Sequence, residues 1–491
     1  MKLRYYLGIW LLLAGGGFPK AALGQTEYFA LFMEGRKVGH AIRSRAVTDR
    51  KVTSAEGVSI QLSRAGVAVS IGTMETCIET TDGEPLGFEV AQDLGIATTK
   101  MVGIVNERGM VNVTTTTMGV ERKSEFAWPS GAVMAEGLRL LELKQGLREG
   151  TSYTVKVFSP AILQTLETEI RIGPKQNIDL LGRVVALTEV TTTYGMPGAG
   201  VIVSTSYVDE ELRVQKDILP IAGMQMEIIA CAKEFALGEN DVFEFIDKMV
   251  FPSPAPLGDV RSVKSVSYHL SPLSKGSSFT IPSGDNQSVR RLRDGGAIVA
   301  VKPVAAPRGV RFPYRGRDRE ILESMEPTRF LQSDSRGIKE LSRRAVGSTK
   351  DAGEAVKRIE SFVGEYITEK GFSVGYASAA EVAASRVGDC TEHAVLVAAM
   401  CRAVGIPARI VSGIVYTEGF AEREDVFVGH AWVEAYVDDR WVGLDATRAP
   451  YGYGPGHIAL AIGSGNPEDF FNLLGTLGRF KIDKAVVNKG R

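Results

Sequence analysis

One segment, Cys390 to Met400, constrains the fold of this chain more than any other. Its residues from Ala394 onward are apolar, which predicts a buried helix, and Gly405 and Pro407 predict where that helix ends. Cys390 then lies at the N-terminus of the helix, where unpaired backbone N–H groups stabilise negative charge. Because a cysteine reacts as its thiolate, the segment predicts a candidate nucleophile at the first turn of a buried helix.

A predicted hairpin follows this helix. Two apolar and aromatic runs, residues 431–437 and 441–444, flank the turn-forming residues Asp438-Asp439-Arg440. A loop with an even number of residues, such as Asp438-Asp439 alone, puts Asp445 on the same face as His430. An odd loop without a bulge would point the two side chains to opposite faces. The even register therefore allows Asp445 to hold the His430 ring.

Cys390, His430 and Asp445 form a candidate catalytic constellation. In the even register Asp445 holds one nitrogen of His430 while the other nitrogen faces Cys390, which is the general logic of a catalytic triad. Each residue also has a structural explanation, respectively as an inert buried cysteine, a half-buried strand histidine and a turn former at a strand end. Their joint occurrence in this order and context favours the triad.

Four stretches of the chain resemble the bacterial transglutaminase-like superfamily. They are Gly388 to Ala394, Ala403 to Gly413, His430-Ala431-Trp432 and Leu444 to Thr447. The resemblance covers roughly residues 320–465. It implies a papain-like core, in which a helix carrying the cysteine packs on a sheet carrying the histidine and the aspartate.

The resemblance also implies catalytic roles. Cys390 corresponds to the nucleophile, His430 to the general base and acid, and Asp445 to the residue that orients His430. The motifs are specific for the family but not for one reaction, since the family includes transglutaminases, peptidases, other amide hydrolases and inactive members.

Length and composition narrow the class of protein. A chain of 491 residues predicts two to four domains, and 44% hydrophobic with 23% charged residues is typical of globular proteins. The net charge is −1, from 57 Lys and Arg against 58 Asp and Glu. Without a basic surplus, the sequence argues against a nucleic-acid partner.

The N-terminal residues 1–24 read as a secretory signal peptide. Lys2 and Arg4 precede an apolar core from Leu7 to Gly17, and Ala22-Leu23-Gly24 supplies small residues for cleavage before Gln25. The alternative is an uncleaved anchor. We therefore predict an exported protein, periplasmic or extracellular, with no transmembrane anchor after signal cleavage.

The rest of the chain is predicted to be α+β. Residues 25–252 are expected to form a mostly antiparallel β-rich domain with one helix at about residues 134–145. Residues 253–310 are expected to form a small β segment with linkers, and residues 311–491 the transglutaminase-like domain. By analogy of fold alone, the β-rich domain is expected to bind an apolar ligand or an envelope partner.

The spacing of the remaining cysteines and histidines bears on disulfides and metal sites. Cys390 and Cys401 lie ~16 Å apart on one helix and cannot be bridged, whereas Cys77 and Cys231 either pair or are simply buried. Histidines 393, 430 and 457 lack a closely spaced ligand pair, so neither a metal nor another cofactor is predicted.

The sequence predicts a cysteine enzyme that transfers acyl groups from amide bonds of protein or peptide substrates through a thioester on Cys390. Hydrolysis, as by a peptidase or amidase, is favoured over cross-linking because an exported enzyme meets water more often than a positioned lysine. The alternative is a non-catalytic envelope binding or assembly protein with a vestigial triad.

Overall fold

The computed structural model describes residues 25–64, 67–93, 98–117, 120–196, 200–221, 224–244, 250–260, 263–273, 279–371, 377–464 and 476–489. The fold is α+β, as predicted, with a large antiparallel N-terminal sheet and a C-terminal domain in which helices pack on a sheet. The predicted signal peptide, residues 1–24, lies outside the described residues.

Fifteen strands form the first sheet, and all neighbours are antiparallel except β9 and β10. The strands are β1 Gln25–Met33, β2 Arg36–Thr48, β3 Lys51–Arg64, β4 Val67–Thr80, β5 Pro85–Asp93, β6 Thr98–Val105, β7 Met110–Thr117, β8 Val120–Ala127, β9 Ala132–Val133, β10 Ser152–Ser159, β11 Gln164–Leu180, β12 Arg183–Met196, β13 Gly200–Val208, β14 Val214–Ile221 and β15 Met224–Ala230.

The first sheet is a meander in which β1 pairs with both β2 and β15. Helix α1, Ala135–Gln145, forms where a helix was predicted and packs against β3 and β4, whereas the short helix at Lys233–Ala236 in the same region was not predicted. Both carboxylate oxygens of Glu79 accept backbone N–H groups at its start, from Glu136 over 2.6 Å and from Gly137 over 2.9 Å. A buried carboxylate thus satisfies the unpaired donors that a helix N-terminus presents.

Four strands form a second sheet, in the order β18-β19-β17-β24. They are β17 Ser265–Pro272, β18 Gln287–Arg291, β19 Ala297–Val301 and β24 Phe480–Asn488. The first three correspond to the small β segment predicted within residues 253–310. The sequence did not indicate that β24, close to the end of the chain, pairs with β17 along almost its whole length.

The third sheet carries the candidate site and is covered by helices. Its strands are β16 Val250–Pro252, β20 Ala408–Phe420, β21 Arg423–Val437, β22 Arg440–Leu444 and β23 His457–Gly463, in the order β16-β21-β20-β23 with β22 also paired to β21. The other helices are α2 Lys233–Ala236, α3 Arg319–Glu323, α4 Arg336–Val346, α5 Ala352–Tyr366, α6 Ala379–Ser385 and α7 Cys390–Ala403.

Pro252 ends a short strand at the edge of the third sheet. Val250–Pro252 pairs with residues 426–428 of β21 as an edge strand. Proline is tolerated there because an edge strand has one side on which no backbone N–H is needed. The domain boundaries predicted from the sequence, at 24/25, 252/253 and 310/311, stay a prediction.

Two cores hold the C-terminal half together. The first lies between α4, α5, α7 and the sheet, where Ile359, Val395, Met400 and Val433 are almost completely buried. The second joins all three sheets, since Phe29 of β1, Tyr268 of β17 and Tyr416 of β20 belong to one buried cluster. Each fully buried side chain of this size contributes about 1.5–3 kcal/mol through removal from water.

The four cysteines are all free, so Cys77 and Cys231 do not pair. Cys77 and Cys401 are buried, whereas Cys231 and Cys390 are half-buried. Among the described residues, no helix is both long enough and apolar enough to cross a bilayer.

Candidate active site

Cys390 is the first residue of α7, as the sequence predicted. Asp389 caps the helix by accepting the Thr391 N–H over 2.9 Å, while the Glu392 carboxyl accepts the Asp389 N–H over 2.9 Å. This reciprocal arrangement is a capping box, and Asp389-x-x-Glu392 is its sequence signature. Sequence reasoning missed it at this helix. The box sets the direction in which the chain enters α7 and so sets where the Cys390 side chain begins.

The carboxyl of Glu392 is completely buried beneath the first turn of α7. Burial and the neighbouring charge of Asp389 raise the pKa of Glu392 well above its ordinary value. The neutral form is therefore favoured, which limits the negative charge beside Cys390. Gly388 is required for this packing, because a Cβ at that position would lie 2.2 Å from the Cβ of Glu392.

The predicted hairpin forms in the even register. β21 pairs with β22 so that Val437 lies opposite Arg440 at one end and Val433 lies opposite Leu444 at the other. The loop between the two strands is therefore Asp438-Asp439 alone. Both loop residues have positive φ, at 54° and 56°, as a type I′ turn requires. The parity argument is confirmed, and Asp445 directly follows the last paired residue of β22.

His430 and Asp445 meet as a buried hydrogen-bonded pair. Because a carboxylate can only accept, His430 Nε2–H donates to Asp445 Oδ2, over 2.8 Å. The two residues are 8% and 1% exposed. The ring's other nitrogen, Nδ1, is then the atom available to Cys390, whose side chain lies close enough to raise the pKa of the His430 ring. The structure thus brings the three predicted site residues together.

The electrostatics of the pair favour an imidazolium. Burial alone would lower the pKa of His430, but the charge and hydrogen bond of Asp445, together with Cys390, outweigh burial and raise it to about 10. In return, although burial opposes it, the pKa of Asp445 is held far below its usual range by His430 and His457. At neutral pH the site therefore contains a positive ring between a thiol group and a carboxylate.

The backbone of Asp445 is anchored by a residue that sequence reasoning did not single out. Glu360 of α5 accepts the Asp445 N–H at Oε1 over 2.6 Å and the Lys357 ammonium at Oε2 over 2.8 Å. On the other side, Asp445 Oδ1 accepts the Thr447 N–H over 3.1 Å, which starts a 3₁₀ turn at Ala446–Arg448. A buried Glu on a helix offers no sequence signal for this role.

A second histidine contacts Asp445. His457 Nε2 lies 3.0 Å from Asp445 Oδ2, the oxygen that also accepts from His430. The sequence singled out His457 only as one of three histidines without a closely spaced ligand pair, because nothing local to it points to residue 445. His393 is the third of the histidines that lack a closely spaced ligand pair. Its Nδ1 lies 2.6 Å from the carbonyl oxygen of Asp389, the N-cap of its own helix.

Aromatic rings enclose the two histidines. Trp432 is 1% exposed, stacks on His430 with centroids 6.3 Å apart and meets His457 edge-on at 5.1 Å. Tyr453 lies 4.6 Å from His457 and covers Gly443, where a Cβ would come within 2.4 Å of the tyrosine ring. Excluding water strengthens the electrostatic interactions between the charged groups of the site.

Three possible metal-ligand atoms lie within 4.8 Å of one another, one each from His430, Asp445 and His457. Their type and spacing fit a metal ion. The sequence argument against a metal was the lack of a closely spaced pair of ligands. It does not apply to this cluster, because the three residues come from separate segments of the chain. A protonated ring cannot coordinate a metal, however, and the raised pKa of His430 favours that form.

Two comparisons with known proteins bear on this geometry. Residues 339–446 match the sequence model described as the transglutaminase-like superfamily. This segment contains Cys390, His430 and Asp445 but not His457. No curated protein matches the chain.

Solved structures provide distant matches. A candidate cysteine protease from Cytophaga hutchinsonii is 20% identical over 46% of this chain and 86% of its own, with a TM-score of 0.30. A candidate protease from Parabacteroides distasonis is 12% identical over 82% of this chain and 70% of its own, with a TM-score of 0.22.

A protein with a domain of unknown function from Brucella abortus is 11% identical over 43% of this chain and 97% of its own, with a TM-score of 0.33. These likenesses are too remote to carry an argument. The match of residues 339–446 is the informative one, and it identifies that segment of the chain as transglutaminase-like.

Proposed function

We propose that this protein is a cysteine enzyme that cleaves amide bonds of protein or peptide substrates through a thioester on Cys390. One observation carries the proposal. A half-buried cysteine at a helix N-terminus lies close enough to His430 to raise the pKa of its ring, and His430 Nε2 is held by a buried carboxylate at 2.8 Å. This is the arrangement in which a thiol is activated for acyl transfer.

The first half of the reaction forms the thioester. The Cys390 thiolate attacks the carbonyl carbon, and the negative charge that develops on the carbonyl oxygen is stabilised by the Cys390 backbone N–H. As the first residue of α7, Cys390 has no partner for this N–H within the helix. When the C–N bond breaks, the His430 imidazolium gives its proton to the leaving amine. Asp445 keeps the ring oriented and stabilises its charged form.

The second half of the reaction regenerates the enzyme. Neutral His430 removes a proton from water, the water oxygen attacks the thioester carbon, and the Cys390 sulfur leaves as thiolate while an acid product forms. An amine in place of water would give cross-linking. We favour hydrolysis because water is always present at the half-buried thiol, whereas an amine must be positioned.

Selective labelling and substitution of Cys390 test the proposal. Burial raises the pKa of Cys401 to about 12, so this second thiol on α7 stays protonated at neutral pH. A peptide-based electrophile applied at pH 6–7 should therefore label Cys390. Cys390→Ala should lose both labelling and hydrolysis of peptides found by library profiling, while keeping its circular dichroism spectrum.

Cys231→Ala is the matched control, because Cys231 is the other half-buried thiol and directly follows β15 of the N-terminal sheet. It should retain activity. Turnover by Cys390→Ala at a rate near that of the unsubstituted protein would exclude the thioester mechanism and favour the binding or assembly function. Including a primary amine and analysing the products separates hydrolysis from cross-linking.

We also propose that the protein is exported, on the strength of the N-terminal sequence pattern alone. N-terminal sequencing of the mature protein from the producing cell tests this, and a chain that still begins at Met1 would contradict signal cleavage before Gln25.

A further inference from the structure

One carboxylate oxygen in the site is shared by two imidazole rings. Asp445 Oδ2 lies 2.8 Å from His430 Nε2 and 3.0 Å from His457 Nε2. The triad mechanism uses the first of these contacts and has no use for the second. His457 also lies beyond residues 339–446, the segment that matches the superfamily. Its contact with Asp445 is thus a feature of the tertiary structure that the family match does not include.

His457 is held rigidly in this position. It begins strand β23, is 2% exposed, and its Nδ1 accepts the Gly454 N–H over 3.2 Å. The rings of Tyr453 and Trp432 pack on it with centroids 4.6 and 5.1 Å away. A side chain fixed by a strand, a backbone hydrogen bond and two aromatic rings has one accessible rotamer, so it acts as a fixed point for the group it contacts.

The two imidazoles differ in charge. Burial lowers the pKa of His457, and the nearby positive charges of His430 and Arg448 add to this, while Asp445 opposes it. His457 is therefore neutral at pH 7 and carries a single N–H. Because the Asp445 carboxylate can only accept, that N–H is on Nε2 and donates to Asp445 over 3.0 Å. Nδ1 then accepts the Gly454 N–H over 3.2 Å and also lies 2.9 Å from the Gly454 carbonyl oxygen. His430, by contrast, is the charged partner.

We propose that His457 is a positioning residue, whose Nε2–H holds the Asp445 carboxylate in line with His430. This inference rests on the proposed function. Without His457, Oδ1 keeps its bond from the Thr447 N–H, but Oδ2 has only His430 itself as partner. The carboxylate is then oriented by two contacts instead of three, its position relative to the ring is less fixed, and the charge–charge contact with His430 weakens.

The test uses His457→Leu, which removes the donor at similar volume, and His457→Gln, whose amide N–H can still reach Asp445. The chain has only five histidines, so ¹⁵N-histidine labelling of the full protein resolves each ring by NMR. In His457→Leu we expect the measured pKa of His430 to fall by about 1 pH unit and iodoacetamide alkylation of Cys390 at pH 6 to slow roughly 10-fold or more.

His457→Gln should restore most of both values, which a purely structural role for the ring would not predict. His269→Leu, in the second sheet, is the matched loss of a histidine and should change neither. An unchanged or raised pKa of His430 in folded His457→Leu overturns the proposal. So does equal damage from the Leu and Gln variants.

The unsubstituted protein provides a second measurement if the Leu variant does not fold. The proposal requires His457 to be the neutral tautomer with its proton on Nε2, and ¹⁵N shifts that put the proton on Nδ1 would overturn it. The proposed function fails separately. If Cys390→Ala retained turnover, the thioester mechanism would be lost, but the NMR titration would still report whether His457 positions Asp445.

Discussion

Replacing Asp445 with Asn removes the charge that keeps His430 protonated. Asp445 Oδ2 accepts from two imidazoles and Oδ1 accepts from the Thr447 N–H, so every side-chain partner of this carboxylate is a donor. An amide of the same shape has one oxygen and one NH₂ group. Either orientation therefore puts a donor against a donor, and the negative charge is lost in both.

The effect on the charge of His430 can be calculated. With a pKa of about 10 the ring is about 99% protonated at pH 8, whereas at its ordinary value of 6.5 it would be about 3% protonated. That is a loss of about 30-fold at pH 8 but less than about 2-fold at pH 6. Burial without a counter-charge would lower the pKa of His430 below its ordinary value. The calculated ratio between the loss at pH 8 and the loss at pH 6 is therefore a lower bound.

The assay is hydrolysis of a peptide amide at pH 6 and pH 8, with the protonation of His430 followed in parallel by NMR. We expect Asp445→Asn to lose about 20- to 30-fold more activity at pH 8 than at pH 6, on top of a geometric loss common to both. Asp438→Asn is the matched control, because this exposed turn residue has a positive φ that asparagine also adopts.

An equal loss at both pH values would refute the electrostatic reasoning, since Asp445 would then act through geometry alone. A variant with near-normal activity at pH 8 would refute the role of Asp445 altogether.

Two further predictions concern stability. Gly388→Ala should lower the unfolding temperature and slow labelling of Cys390, because the new methyl group displaces Glu392 from the capping box. The control is Gly337→Ala on α4, where nothing lies within 4 Å of the new Cβ. This control should be neutral or should stabilise the protein by up to ~1 kcal/mol. The raised pKa of His430 means that its stabilising contribution is complete below its unfolded value of about 6.5 and is lost as the pH rises through about 10. Chemical denaturation should therefore show a fall in the free energy of unfolding between about pH 7 and pH 10 that His430→Gln reduces, and an unchanged fall in that variant would contradict the assignment.

Sequence alone was sufficient wherever the information is local. The apolar run after Cys390, with Gly405 beyond it, predicts both ends of α7 because a helix forms from contacts three and four residues apart. The register of the β21–β22 hairpin follows from the length of its loop, so the meeting of His430 and Asp445 could be derived by counting residues.

Only the tertiary structure brought Glu360 and His457 to Asp445. Glu360 contacts Asp445 from α5, 85 residues away along the chain. His457 contacts Asp445 from β23, a strand that pairs with β20 and not with β22 of the hairpin. Likewise, the pairing of β24 with β17 joins residues more than 200 positions apart. Hydrophobic periodicity tells which face of an element is buried but not what it is buried against, since strand partners are chosen by packing across the whole fold. The triad was thus readable from the order of residues, whereas the residues that hold its carboxylate in place were decided by long-range packing.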